Sequence, residues 1–270
     1  MNEAASLYLD LTKKALTFLL YGQELYAPAE RPKNRIKRIL FDAMLKRGMI
    51  PMRRVKVDRE LRRQGLDFPP QALTMIGMKR LDNLQTCLED ILRSGVPGDI
   101  IEAGTWRGGA AIFLRAILKA YGIADRSVWV ADSFEGLPSP DVSKNPADAG
   151  SYNFENPFLA VPLDTVKLNF SRFGLLDDQV RFVKGWFKDT LPGLAGEKWS
   201  LIRVDGDMYE STMDALKNLY PHLSAGGYVI IDDYGLASCR EAVNDFRDAN
   251  QISEPIQTID STGIYWQRKR

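Results

Sequence analysis

The stretch DIIEAGTWRGGA, residues 99–110, decides how this chain is read. Ile100 and Ile101 start an apolar run that stops at Gly104, and Gly108-Gly109 open a longer one, AAIFLRAIL. A short apolar run ending on glycine, followed by one too long for a strand, reads as a buried strand turning into a helix. The same alternation continues outward. Strand SVWVADSF (127–134) is followed by a loop rich in Pro, Ser and Asp near 137–157 and a helix over 163–173. Then come strand VRFVKG, a short helix near 187–191, strand SLIRVDGD, a helix over 209–222, strand GYVIIDDY and a helix over 237–250. EPIQTID and GIYWQRK close the chain as a hairpin around Ser261-Thr262-Gly263. Strands alternating with helices predict an α/β fold. Its sheet is mostly parallel and seven-stranded, covered on both faces, with an antiparallel hairpin at one edge.

Upstream, Leu7, Leu11, Ala15, Phe18 and Leu19 recur at helical spacing and predict an amphipathic helix over 5–21, and Ile76 to Leu92 repeat the pattern over 76–94. Residues 31–63 read as helix and loop broken by Gly48 and Pro51. Pro69-Pro70 cannot lie inside a helix, which places a boundary between residues 1–70 and 71–270. The hydrophobic share of 45% over 270 residues is enough for a full core without staples. Cys87 and Cys239 have no metal or disulfide spacing, and no leader or membrane-spanning run is legible, so a cytoplasmic protein is expected. Between Arg31 and Arg63, 13 Lys or Arg face three acids, although the chain's net charge is only +1. Such a segment reads as a solvated face or arm, or as a surface for an anionic acceptor or a membrane. No nucleic-acid module accompanies it.

Three signals carry chemistry. The first is the strand-to-helix turn, where doubly wound sheets bind nucleotides. Its Gly104-x-x-x-Gly108-Gly109 spacing is not the dinucleotide fingerprint, and the glycines would let a ligand approach the backbone. Glu102 would repel a pyrophosphate but suits the amino group of S-adenosylmethionine. The second is Asp132, 30 residues later at the next strand end, placed to accept from ribose hydroxyls, with Trp186 and Phe187 able to flank an adenine. The third is Asp205 ending one strand and Asp232-Asp233 ending the next. Neighbouring strands would bring three carboxylates together, and a hard cation such as Mg²⁺ would remove their repulsion. The alternatives are that Asp232 or Asp233 caps the following helix or pairs with an arginine. The sole histidine, His222, sits at a helix end and builds no triad, so a general base must be Asp, Glu, Lys or Tyr.

Long motifs strengthen these signals. SLYLDLTKKAL, TMIGMKRLDNLQTCLEDIL, GVPGDIIEAGTWRGGA, VWVADSFEGLP, RVDGDMYESTMDALKNLYPHLSAGGYVIIDDY and CREAVNDFR together resemble the macrocin-type O-methyltransferase family. The resemblance implies a class I methyltransferase (Rossmann-like) fold with a helical N-terminal lid, S-adenosylmethionine as donor and Mg²⁺ as metal. It further implies a hydroxylated small-molecule acceptor, in particular a sugar, and a homodimer. By the same resemblance Glu102, Ala103, Gly104, Thr105, Trp106 and Gly108 bind the donor, as do Asp132, Ser133, Phe134, Glu135 and Gly136. Thr74 and Met75 cover it, and Asp205, Asp232 and Asp233 hold the metal. Asp207 is the expected general base, with Asp205 as its alternative. Residues 24–66 depart from the family pattern, as do Leu73 and Pro162, which stand where His and Ser are expected. Rival readings are methylation of a glycan, a lipid-linked sugar or a catechol-like phenol, a non-catalytic adenosine-ligand binder, and an NAD-dependent oxidoreductase.

Overall fold

The computed structural model describes residues 3–21, 24–67, 70–150 and 153–269. Its centre is a seven-stranded sheet built from β3 (Asp99–Ala103), β4 (Val128–Asp132), β5 (Val180–Lys184), β6 (Trp199–Val204), β7 (Leu223–Ile231), β8 (Gln257–Thr258) and β9 (Ile264–Gln267). The order across the sheet is β5-β4-β3-β6-β7-β9-β8. Strands β3 to β7 run parallel, and β9 and β8 add antiparallel pairs at one edge. The expected α/β sheet with its terminal hairpin is therefore present.

Side-chain alternation along each strand splits the core into two layers. Ile100, Val128, Val130, Leu201 and Ile230 enter one apolar cluster. Ile101, Ala103, Trp129, Ile202, Val229 and Ile231 enter the other. The first layer is closed by α1 (Glu3–Leu16), α4 (Met78–Ser94), α5 (Gly109–Ala120) and α6 (Leu163–Arg172). The second is closed by α8 (Tyr209–Leu219) and α9 (Ala237–Ala249), with Phe187 of the short α7 (Phe187–Thr190) packed against it. Leu9 and Leu16 of α1 are fully buried, so this first helix is part of the main core.

Two expectations upstream need correction. The helix expected to reach residue 21 stops at Leu16, because Phe18 is left-handed (φ 63°) and Leu19 and Leu20 both donate back to Lys14. The segment read as helix and loop also carries an antiparallel ribbon, β1 (Glu24–Pro28) with β2 (Met52–Lys56), around α2 (Arg35–Lys46). Five-residue strands show almost no periodicity of their own, and this pair is made by partners more than 20 residues apart. The short α3 (Arg59–Gln64) follows, and its buried Arg62 donates to the Met75 and Ile76 carbonyls. Of the expected Pro69-Pro70 boundary, residue 69 lies outside the described residues.

The chain moves outward from β3 to β4 and β5, then returns to lay β6 on the other side of β3. Connections therefore leave β3 and β6 in opposite directions, which opens a crevice beyond their carboxyl ends. Gly104 and Asp205 are the first residues past those ends.

Candidate active site

The crevice is an open cleft of about 1020 Å³. Gly104, Thr105 and Trp106 line it after β3, Asp132, Ser133 and Gly136 after β4, Trp186 and Phe187 after β5, and Asp205 and Asp207 after β6. Met75 joins them from the segment before α4. Among the described residues, six carboxylates (Asp132, Asp141, Asp205, Asp207, Glu210 and Asp214) face two lysines, Lys144 and Lys188. That lining favours a cationic ligand over a diphosphate.

Of Gly104, Gly108 and Gly109, Gly104 lines the cleft, and the chain's own close packing needs all three. A Cβ on Gly104 (φ 91°) would drive into the Asp205 carbonyl oxygen. One on Gly108 would meet Val166, and one on Gly109 would meet the Leu73 carbonyl, to which Gly109 also donates. They serve the chain's own close packing, and Gly108 does not line the cleft. Asp132 accepts from the Thr105 and Phe134 amides, both at 2.7 Å, so one carboxylate ties the turns after β3 and β4 together. Phe134 turns into the core against Phe182, Glu135 faces solvent, and Ala103 and Thr74 are buried behind the wall. The Trp106 indole donates to the Phe158 carbonyl at 2.8 Å, anchoring the long loop after β4 to the site.

Glu102 also lies behind the cleft. In the β3–β6 ladder it sits beside Arg203, which donates to it at 2.6 Å, while the Thr105 hydroxyl takes its other oxygen at 2.9 Å. Burial lifts its carboxyl to about 7 against the pull of Arg203. The same guanidinium reaches Asp205 at 2.8 Å and Asp232 at 2.6 Å. Arg80 of α4 takes the second oxygen of Asp232 at 2.5 Å and also binds Asp260 and Thr262. Of the two alternatives for the adjacent aspartates, arginine pairing holds for Asp232. Capping does not, because the N-cap of α9 is Leu236 and no side chain caps the helix.

Even with two arginines the acids outnumber the cations. Asp205, Asp232 and Asp233 each bring an oxygen within 4.8 Å of the others. Burial and the charges of Asp207, Asp205 and Asp232 hold the Asp233 carboxyl well above the usual range. Burial, then Asp205 and Asp232, lift Asp207 to about 7. Asp207 sits in the left-handed region (φ 56°), and its amide donates to Asp233 at 3.1 Å. Three hard oxygen donors whose negative charge Arg203 and Arg80 offset only in part fit a divalent cation.

Arg203, Arg80 and Asp148 were not singled out from the sequence. Arg203 was legible as the single charge in strand β6. Asp148 had no sequence signal. It comes from the long loop after β4, is fully buried, and accepts from the Tyr209 and Glu210 amides at 2.7 and 3.2 Å. It thereby caps α8, whose own preceding residue, Met208, supplies no side-chain cap.

This sheet order, with a ligand cleft at the reversal point and acids at the ends of β4, β6 and β7, defines a class I methyltransferase. The macrocin-O-methyltransferase (TylF) family model matches residues 5–268, and the chain belongs to that family. It is 50% identical over 266 residues to an 8-demethyl-8-(2,3-dimethoxy-alpha-L-rhamnosyl)-tetracenomycin-C 4'-O-methyltransferase of Streptomyces olivaceus, covering 98% of this chain and 94% of that protein. It is 49% identical to the mycinamicin III 3''-O-methyltransferase of Micromonospora griseorubida, covering 99% and 98%. The solved O-methyltransferase NovP superposes with a TM-score of 0.84 at 43% identity, covering 98% of this chain and all of that one. The chain is thus an S-adenosylmethionine-dependent O-methyltransferase, which sets aside the oxidoreductase and the non-catalytic binder.

Proposed function

We propose that this enzyme methylates a sugar hydroxyl of a glycosylated natural product, with Mg²⁺ bound at Asp205, Asp232 and Asp233. The observation that carries the metal is the excess of carboxylates at the ends of β6 and β7, which Arg203 and Arg80 offset only in part. The sugar acceptor is supported by the relatives, whose names describe methyltransferases of a rhamnosyl-tetracenomycin, a mycinamicin and a demethyldecarbamoylnovobiocin.

The donor would lie across the mouths of β3, β4 and β5, with Asp132 at its ribose and Trp186 and Phe187 beside its adenine. Bound there it supplies an electrophilic methyl group, and the cation supplies a Lewis acid that makes a coordinated hydroxyl more acidic. The protein does the rest. Asp207, poised near neutral pH at the cleft wall, takes the hydroxyl proton. Asp205, Asp232 and Asp233 would hold the cation beside Asp207. The walls fix the approach line, and positioning of this kind supplies up to roughly 7–11 kcal/mol in model systems.

A homodimer is also proposed. Helix α2 buries none of its residues, and Ile36, Ile39 and Leu40 are 62–71% exposed, an apolar face suited to a second copy. Light scattering of the wild type beside Ile39→Asp tests it, a dimer that becomes a monomer being the expected result.

The deciding experiment for the function is thermal unfolding with S-adenosylhomocysteine or NADH, each with Mg²⁺ or EDTA. At 100 times Kd a ligand adds about 2.7 kcal/mol. A rise with S-adenosylhomocysteine, enlarged by Mg²⁺ and absent with NADH, is expected. No Mg²⁺ effect on stability or on turnover would remove the metal from the proposal.

A further inference from the structure

Residues 70–77 lead into α4 without helix or strand, and Met75 among them walls the donor cleft. Ala72, Thr74, Ile76 and Gly77 of this strap are buried, so its carbonyls need partners that no ladder or helix provides. Two arginines supply them from opposite sides. Arg107, on the turn after β3, donates to the Pro70 and Ala72 carbonyls at 3.0 and 2.9 Å. Arg62, on α3, donates through one terminal nitrogen to the Met75 and Ile76 carbonyls at 2.5 and 2.8 Å. Leu73, between the two pairs, accepts from the Gly109 amide at 2.9 Å.

Arg62 stands apart from its neighbours in sequence. Of the 13 Lys and Arg between residues 31 and 63, the other twelve are exposed, and Arg62 is 1% exposed. Burying a guanidinium is costly, and the Asp67 carboxylate at 2.9 Å offsets its charge. An apolar side chain would fill the space at less cost but would leave two carbonyls without a donor. The end of α3 lies backbone to backbone against the strap. A Cβ on Gly77 would stand 2.3 Å from the Arg63 carbonyl oxygen. Arg59 donates to the Leu19 carbonyl at 3.2 Å, which ties α3 to the chain just after α1. Arg62 is thus held firmly enough to hold something else. Its two contacts fix the backbone at Met75 and Ile76, so that Ile76 is buried in the core while Met75 lines the cleft.

We propose that Arg62 is a positioning residue for the methyl donor, gripping the Met75 and Ile76 carbonyls so that Met75 is held against the bound donor. The proposal rests on the donor placement above and adds to it a residue that lines no part of the cleft. It also gives the basic segment a task that its charge does not suggest. Without the guanidinium the two carbonyls must find water, and the strap has to lift from α3 to reach it. Met75 then leaves the cleft wall and donor affinity falls. The coupling is reciprocal, so a bound donor tightens the contact between the strap and α3.

Calorimetric titration of S-adenosylhomocysteine into the full chain tests this without an acceptor. Arg62→Met is expected to bind at least tenfold more weakly than the wild type, and Arg62→Lys, which keeps a donor, within about threefold of it. Met75→Ala should weaken binding at least threefold, and adding Arg62→Met to it should cost less than a further twofold, because both act at one contact. Arg115→Met is the control for lost stability alone. Arg115 is equally buried and pairs with Asp177, just before β5 and far from the strand ends that form the cleft. It should keep the wild-type affinity. Wild-type affinity in Arg62→Met, a loss no larger than in Arg115→Met, or full multiplication with Met75→Ala overturns the proposal. Hydrogen exchange on the unaltered protein decides the matter even if Arg62→Met does not fold. S-adenosylhomocysteine should slow exchange of the bonded Arg62, Gly65 and Leu66 amides at least tenfold and leave α2 unchanged. Unchanged exchange in α3 overturns the proposal. Failure of the wild type to bind S-adenosylhomocysteine would instead strike the donor placement, and this proposal with it.

Discussion

Arg203 has three carboxylates within 2.6–2.8 Å and almost no exposure to water. Removing one partner of a buried ion pair leaves the others desolvated and uncompensated, at a cost of about 3–5 kcal/mol. Arg203→Met should lose that much stability in denaturant unfolding, and Glu102→Gln in the same chain should restore part of it by deleting one stranded charge. Asp207 follows the opposite logic. Its carboxyl and that of Glu102 are raised to about 7, against roughly 4 in an unfolded chain. Between those values the folded form keeps protons that the unfolded form has shed, so stability falls as pH rises through the window. Asp207→Asn should therefore make the metal-free protein more stable at pH 8, by at least about 1 kcal/mol, while turnover collapses and S-adenosylhomocysteine still binds. Unchanged turnover would take Asp207 out of the mechanism.

Among the elements, α8 is the one whose start is decided elsewhere. Its amino end is capped from the long loop after β4, 61 residues away in sequence. Asp148→Ala should cost about 1 kcal/mol of stability, the usual value of a lost cap. It should also make the loop near residues 137–150 the first site of limited proteolysis, because the cap ties the loop to the amino end of α8. Cleavage at an unchanged rate would show that the Trp106–Phe158 tie is sufficient alone. The charge of α2 was legible in the sequence, but its lack of any buried residue was not. A helix with apolar residues looks the same in sequence whether or not the fold offers them a partner.

For the whole molecule, the proposed cation would tie stability to the acid-rich cleft. In EDTA the acids at the ends of β6 and β7 repel, and stability should drop between about pH 4 and 7 for the reason given above. Saturating Mg²⁺ should flatten that decline, with a Tm gain of roughly 2–4 °C per kcal/mol of binding. A decline of equal depth with and without Mg²⁺ would mean that the cluster holds no metal. By itself the sequence determined the sheet, the order of its helices, the turn after β3, and the acids at the ends of β4, β6 and β7. Strand and helix periods, glycine breaks and strand-end charges are all local and survive in a linear reading. Only the tertiary structure decided that Glu102 turns away from the cleft to Arg203, and that Asp232 is gripped by Arg80 from a helix 152 residues earlier. It alone decided that the glycines make room for Asp205, Val166 and Leu73, and that Asp148 caps α8. Each of these depends on which strand lies beside which and on what is packed against the ends, and no window along the chain contains both partners.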